Sequence, residues 1–144
     1  MGQLVSMAWR TGDPGLIFLD PINRNNPLLK KYGKIEATNP CGEQPLHPFD
    51  ACNLGSINLA KFVANKKVDY ERLRFVVRTG VRMLDNVIDA CKYPLPQITE
   101  TVRANRRIGL GVMGWADMLY QLRVPYDSEE GVKLAGKIAK FIQD

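Results

Sequence analysis

The chain has 144 residues, of which 45% are hydrophobic and 24% are charged, so it is long enough for one ordinary domain and wholesale disorder is excluded. Lys and Arg number 20 against 15 Asp and Glu, a net charge of +5, but no dense basic block with interleaved aromatic residues indicates a nucleic-acid partner. No leader pattern and no apolar run of about 18 residues occurs, which predicts a soluble, cytoplasmic protein without a membrane partner.

The N-terminal half is predicted to be mostly irregular, with one short helix. Residues 1–12 carry an apolar helical pattern closed by a glycine, and the Asp-Pro-Gly sequence at 13–15 indicates a turn. The apolar run at 16–19 fits a short strand or one helical turn, and the polar residues 20–27 are predicted to form a loop. An extended segment is expected at 52–59, where small polar and apolar residues alternate.

The C-terminal half carries the clearest helical periodicity. Apolar residues at spacings of three and four predict an amphipathic helix over residues 70–92, with Asp69 as its N-cap and a proline beyond its end. Further helices are expected within residues 114–143, the last of them beginning after residue 127 or 128. Cys91 falls on the apolar face of the long helix and is therefore predicted to lie in the core.

The run Asn39-Pro40-Cys41-Gly42-Glu43 places an amide, a thiol and a carboxylate on alternate positions. In extended backbone, alternate side chains point to the same side, so these three groups could face one substrate. The proline and the glycine between them favour a shaped loop over a central strand. The run indicates reactive chemistry, because core packing needs none of the three polar groups.

The three cysteines, Cys41, Cys52 and Cys91, contain no CxxC pair, and their odd number argues against a secreted disulfide framework. Cys41 and Cys52 could be brought close on neighbouring extended segments, or both could be small buried hydrophobic residues. Cys41, His47 and Cys52 could instead bind zinc, although a structural zinc site usually takes four ligands. A thiol hydrolase that uses Cys41 and His47 is a further alternative, since an imidazole can activate a thiol.

Residues 109–114 match the pattern G-x-G-x-x-G. The dinucleotide-binding form of this motif follows a buried strand, and the arginine-rich residues 102–107 are not typical of one. Close backbone packing at a helix start is the favoured interpretation. The arginines at 103, 106 and 107 could contact a phosphate, but a solvated or ion-paired face is the more common outcome.

Several motifs together resemble, in order and spacing, the large catalytic subunit of ribonucleotide reductase. The form N-P-C-G-E-Q-P-L most resembles the adenosylcobalamin-dependent branch, class II. The resemblance implies an α/β fold, in which residues 1–144 would be one partial, helix-rich segment of a ten-stranded barrel with a central finger loop at about residues 36–59. The motifs are GDPG at 12–15 with Phe18 and Asp20, NPCGEQPL at 39–46, CNLGSINL at 52–59, LDN at 84–86 and RRIGLGVMG at 106–114.

The resemblance implies an oxidoreductase that makes 2′-deoxyribonucleotides from ribonucleoside di- or triphosphates by thiyl-radical chemistry. Cys41 matches the radical cysteine that would abstract the ribose 3′-hydrogen, and Glu43 matches the carboxylate that takes the 3′-hydroxyl proton. Asn39 matches the amide that binds the ribose hydroxyls. Cys52 matches one of two cysteines that become a disulfide as the 2′-hydroxyl leaves as water. Adenosylcobalamin would be the cofactor, and an external dithiol such as thioredoxin would be the reductant.

The resemblance also implies an internal fragment that is inactive alone, since the second redox cysteine, the substrate-phosphate loop and a C-terminal CxxC have no match in the chain. Its expected partners are the ribonucleotide, the flanking segments of the same subunit and, when the subunit is complete, a second copy in a homodimer. Two alternatives stay open. One is a non-catalytic binding or structural module derived from that enzyme, and the other is a small zinc-binding domain.

Overall fold

The computed structural model describes residues 1–144 in full and divides them into two compact units. The first unit comprises Met1–Ala51 and Tyr93–Asn105. The second comprises Cys52–Lys92 and Arg106–Asp144. No helix combines the length and the apolar character needed to cross a membrane.

Helices predominate, and the strands are short. The helices are α1 (Gly2–Thr11), α2 (Leu19–Arg24), α3 (Leu29–Tyr32), α4 (Tyr70–Ala90), α5 (Pro96–Asn105), α6 (Trp115–Leu122) and α7 (Glu129–Gln143). The strands are β1 (Ala37–Thr38), β2 (Pro45–Leu46), β3 (Asn53–Asn58), β4 (Val63–Ala64), β5 (Lys67–Val68) and β6 (Ile108–Met113), with a 3₁₀ turn at Leu59–Phe62. The strands form three two-stranded sheets, β1–β2, β3–β6 and β4–β5, so the fold class is α/β.

In the first unit, α1 ends where the sequence indicates, at Gly12, whose positive φ of 82° allows the chain to leave the helix. The predicted polar loop at 20–27 is partly wrong, because most of it forms α2. A proline is tolerated in the first turn of a helix, where Pro21 lies, and Asp20 complements the positive end of the helix dipole. Residues 16–18 form neither a strand nor a helix.

In the second unit, β3 and β6 pair in parallel with Asn53 opposite Ile108 and Asn58 opposite Met113. Parallel strands need a crossover connection, and α4, which follows β3 in the chain, contacts both strands. The strand β3 agrees with the alternating pattern at 52–59. The strand β6 is not indicated by the sequence, because glycines in a strand weaken the usual β-strand signal.

A compact apolar cluster holds the second unit together. Leu73 on α4 and Met118 on α6 have no exposed surface at all. Full burial of one such side chain contributes roughly 1.5–3 kcal/mol. The buried members are Ile57, Leu59, Phe62, Leu73, Met118 and Ile138.

The two long helices of this unit begin at side-chain caps. The Asp69 carboxylate accepts a hydrogen bond from the Arg72 amide at the start of α4, as the sequence indicates. The Ser128 hydroxyl accepts one from the Gly131 amide at the start of α7. The sequence prediction for Cys91 is wrong, since its side chain is exposed rather than in the core. The backbone is already extended at Cys91, with φ −72° and ψ 137°, so the helical periodicity no longer applies there.

Gly114 sits between β6 and α6, where the backbone conformation and the close packing both require a glycine. Its φ is +66°, a conformation that costs L residues energy. A Cβ at this position would collide with the Asn58 side-chain oxygen and lie 3.3 Å from the Ala60 Cβ. Close backbone packing at a helix start, as the sequence indicates, is therefore confirmed at Gly114.

Candidate functional site

The Asn39–Glu43 run lies in the connection of a small antiparallel hairpin in the first unit. Strands β1 and β2 pair Ala37 with Leu46 and Thr38 with Pro45. Asn39 extends this pairing, because its amide donates to the Gln44 carbonyl at 3.1 Å. Its side-chain oxygen also accepts a hydrogen bond from the Gln44 amide at 3.0 Å. One asparagine thus closes the loop with both its backbone and its side chain.

The tip of this hairpin is a tight turn. The Gly42 amide donates to the Asn39 carbonyl at 3.0 Å, which places Pro40 and Cys41 at the two central positions of a four-residue turn. Gly42 has a φ of +83°, so it takes the conformation that favours glycine. The predicted shaped loop is confirmed. The argument from alternating extended backbone does not apply inside a turn, so the expectation that Asn39, Cys41 and Glu43 face one substrate stays a prediction.

Three different functional groups are presented by this turn. The Cys41 and Glu43 side chains are exposed, and the Asn39 side chain is half-buried. The Asn39 oxygen accepts a hydrogen bond from the Gln44 amide. The side-chain NH₂ makes no hydrogen bond within the chain, so it can donate to another molecule. The loop can therefore offer a thiol, a carboxylate acceptor and an amide donor within five consecutive residues.

Cys52 belongs to the second unit, immediately before β3, and its side chain is half-buried. Its sulfur lies 3.6 Å from the Asn53 carbonyl oxygen, a weak thiol hydrogen bond. Gly109 lies on the neighbouring strand, and a Cβ there would collide with the Leu54 side chain and reach to 4.0 Å from the Cys52 sulfur. The glycine on β6 therefore makes room for the Leu54 side chain, two residues after Cys52.

His47 is a buried residue rather than an open loop side chain, with 5% of its surface exposed. Its Nε2 lies 3.1 Å from the Gly33 carbonyl oxygen and 3.3 Å from the Asn26 side-chain nitrogen. Its ring also contacts the Tyr32 ring, with centroids 5.8 Å apart. Cys41 makes no hydrogen bond to this imidazole, so the arrangement that a thiol hydrolase requires is not present. No group of three or more His, Cys, Asp and Glu side chains gathers closely enough to hold a metal ion.

Arg106, just before β6, is ion-paired within the second unit. Its guanidinium donates to the Asp85 carboxylate at 2.8 Å and binds both oxygens of the Asp89 carboxylate at 2.9 Å. The hydrogen bond from Arg106 lowers the pKa of Asp85 below its usual value. This pairing supports the ion-paired interpretation of Arg106 over a phosphate site. The partners were not identified from sequence, although two aspartates four residues apart on a helix do lie on one face.

Comparisons with known proteins identify the family. All of residues 1–144 match the family described as ribonucleotide reductase, barrel domain. The chain therefore belongs to the ribonucleotide reductase barrel family.

Particular relatives are similar over nearly the whole chain. A vitamin B12-dependent ribonucleoside-diphosphate reductase from Thermoplasma acidophilum is 57% identical over 142 residues, 98% of this chain and 18% of the relative. A protein of the same name from Mycobacterium tuberculosis (strain CDC 1551 / Oshkosh) is 58% identical over 132 residues, 92% of this chain and 19% of the relative. A ribonucleoside-diphosphate reductase subunit alpha from Chlamydia pneumoniae is 38% identical over 145 residues, 97% of this chain and 14% of the relative. The chain thus spans less than a fifth of the length of these relatives.

Proposed function

We propose that this chain is the finger-loop segment of an adenosylcobalamin-dependent ribonucleoside-diphosphate reductase, within a ten-stranded α/β barrel. The observation that carries the proposal is the tight turn that presents an exposed Cys41 between Asn39 and Glu43. The diphosphate and the B12 dependence are supported by the names of the relatives that are 57–58% identical. The extent of the barrel segment over residues 1–144 and a cytoplasmic location stay predictions from the sequence.

The first step assigned to this loop is hydrogen abstraction. The Cys41 thiyl radical would take the 3′-hydrogen of the ribose, which restores the thiol and leaves the unpaired electron on the 3′-carbon. A thiol suits this task when another group can approach its sulfur, and Cys41 is exposed at the tip of the turn. Hydrogen transfer also requires the reacting atoms to be held in one geometry, and the hydrogen bond from Gly42 to Asn39 gives the turn a defined local shape.

The next step assigned to the loop is proton transfer. Glu43 would accept the 3′-hydroxyl proton, and its carboxylate is exposed, so a substrate hydroxyl can approach it. Asn39 would bind a ribose hydroxyl through its side-chain NH₂, which is free to donate while the oxygen of the same amide accepts from the Gln44 backbone. The loop therefore supplies an acceptor and a donor on either side of the thiol.

Cys52 would act in the reductive half of the reaction. It would form a disulfide with a second cysteine, so that two electrons and two protons reduce the ribose and the 2′-hydroxyl leaves as water. The Cys52 side chain is half-buried rather than fully enclosed, so a second sulfur can approach it. An external dithiol such as thioredoxin would then reduce the disulfide for the next turnover.

Adenosylcobalamin, when bound, would supply the radical that removes the thiol hydrogen of Cys41. Cys41 fits this requirement, because its thiol is exposed and is not held in a hydrogen bond. The protein's part in that step is to present the thiol, and the hydrogen bond between Gly42 and Asn39 shapes the turn that carries it.

The experiment uses a reductase chimera, a protein in which residues 1–144 replace the corresponding segment of the Thermoplasma acidophilum reductase. We expect this chimera to form deoxyribonucleotides from ribonucleoside diphosphates with adenosylcobalamin and a dithiol. Cys41→Ser should abolish this activity, whereas Cys52→Ser should allow at most one turnover per enzyme. Full multiple-turnover activity in either variant would contradict the role assigned to that cysteine.

The chain alone is expected to form no deoxyribonucleotide, because it spans 18–19% of the length of the relatives named as reductases. The partners proposed for it are the ribonucleotide, the remaining segments of the subunit and a second subunit in a homodimer. Mixing the chain with the flanking segments of the relative tests this assignment. Restored activity supports a reductase segment, and persistent inactivity of a folded mixture supports a non-catalytic module.

A further inference from the structure

The hairpin that carries Cys41 is too small to hold its own position. Strands β1 and β2 contain two residues each. A lone two-stranded hairpin is marginally stable in water even when its strands are longer. The position of the Cys41 turn must therefore depend on contacts outside the hairpin, and the first unit shows two of them.

The first contact lies just before β1. The Asn23 side chain binds both backbone groups of Ile35: its oxygen accepts from the Ile35 amide at 2.8 Å, and its nitrogen donates to the Ile35 carbonyl at 2.9 Å. The Ile35 side chain is buried, with 6% of its surface exposed. Asn23 lies on α2, so this pair of hydrogen bonds fixes the chain that enters the hairpin to a helix.

The second contact lies just after β2. His47, which follows that strand directly, lies with its Nε2 3.3 Å from the Asn26 side-chain nitrogen. The same Asn26 nitrogen donates to the Gly33 carbonyl at 3.2 Å, and the Asn26 oxygen accepts from the Leu28 amide at 2.9 Å. The His47 Nε2 also lies 3.1 Å from the Gly33 carbonyl oxygen, so it either accepts from Asn26 or donates to Gly33, a carbonyl that Asn26 itself binds. In both cases His47 connects the chain that leaves the hairpin to residues 26–33.

We propose that Asn23 and Asn26 form an amide anchor that positions the Cys41 turn for the reaction, an inference that rests on the proposed function. Their side chains, three residues apart in sequence, contact the segments that enter and leave the hairpin. A displacement of about 1 Å at a reacting group can reduce a rate about 100-fold. The anchor residues act through the backbone of the hairpin, so they are positioning residues and not catalytic ones.

The first test measures the anchor itself by hydrogen exchange in the chain of residues 1–144. Asn23→Ala and Asn26→Ala are each expected to speed exchange of the Gly42 and Gln44 amides by roughly tenfold, since each removes two or more hydrogen bonds from the anchor. Asn25→Ala is the matched control, because its side chain bonds only to the Pro21 carbonyl within α2. Amides of α5, which belongs to the same unit as the substituted asparagines, report whether that unit is still folded in a variant.

The second test measures the consequence in the reductase chimera. If a substitution only lowers the fraction of folded enzyme, the remaining molecules react as in the parent. The isotope effect on kcat with a 3′-deuterated substrate then stays unchanged. A misplaced Cys41 makes hydrogen abstraction slower relative to the other steps. We therefore expect the Asn23→Ala and Asn26→Ala chimeras to show a kcat reduced about tenfold or more and a larger isotope effect. Asn25→Ala should change neither.

The outcomes separate this inference from the proposed function. Unchanged exchange of the turn amides in both variants, or reduced activity with an unchanged isotope effect, overturns the anchor as a positioning device. An inactive chimera without any substitution overturns the proposed function and with it the catalytic part of the inference. Even then, the exchange data show whether the anchor holds the turn.

Discussion

Replacing Gly114 by alanine tests the packing between β6 and α6. At a φ of +66°, a non-glycine residue is strained by about 1–2 kcal/mol. The new Cβ would also collide with the Asn58 side-chain oxygen, which caps the 3₁₀ turn by accepting from the Ala60 amide at 3.1 Å. Displacement of a cap costs roughly 0.5–2 kcal/mol. The two effects together predict a loss of about 1.5–4 kcal/mol in the free energy of unfolding.

The assay is urea unfolding of the chain followed by the fluorescence of Trp115, which directly follows the substituted residue. The control is Gly136→Ala on α7, where an added Cβ meets no atom within 4 Å. That substitution should raise the free energy of unfolding by about 0.5–1 kcal/mol, since alanine is the better helix former. Equal effects of the two substitutions, or a Gly114→Ala variant as stable as the parent, would refute the reasoning.

Three further predictions concern the core, the ion pair and the loop. Leu73→Ala, at a residue with 0% exposure, should lower the free energy of unfolding by about 2–5 kcal/mol in the same urea titration. Because the hydrogen bond from Arg106 lowers the pKa of Asp85, the stabilisation is present above the usual pKa of an aspartate and is lost as the pH falls through the lowered pKa. Asp85→Asn should therefore flatten the acid side of a stability–pH profile. Glu43→Gln should reduce kcat of the reductase chimera by about 100-fold or more while exchange of the Gly42 amide stays as in the parent.

Local signals in the sequence were sufficient for several elements. The long helix α4 follows from apolar spacing and the Asp69 cap, and α7 begins where the acidic first turn indicates. The turn at Asn39–Gly42 follows from a proline and a glycine close together in the loop. These features depend on interactions between residues that are close in sequence, and the spacing of residue types along the chain predicts such interactions.

The features that the sequence did not predict depend on distant residues. Strand β6 forms because it pairs in parallel with β3, some 55 residues earlier. Its own glycine-rich sequence carries no strand signal. Asn23 bonds to a residue 12 positions away, and Asn26 lies near a histidine 21 positions away. An asparagine in a polar stretch is typical of a loop, and only the fold shows that Asn23 and Asn26 support the hairpin.

The central claim is that Cys41 removes the 3′-hydrogen of a ribonucleotide. The most direct measurement is the release of tritium to water from a 3′-tritiated ribonucleoside diphosphate by the reductase chimera. We predict release by the parent chimera and by Cys91→Ser, a control at another exposed cysteine, and no release by Cys41→Ser. Tritium release by Cys41→Ser at the parent rate would contradict the account.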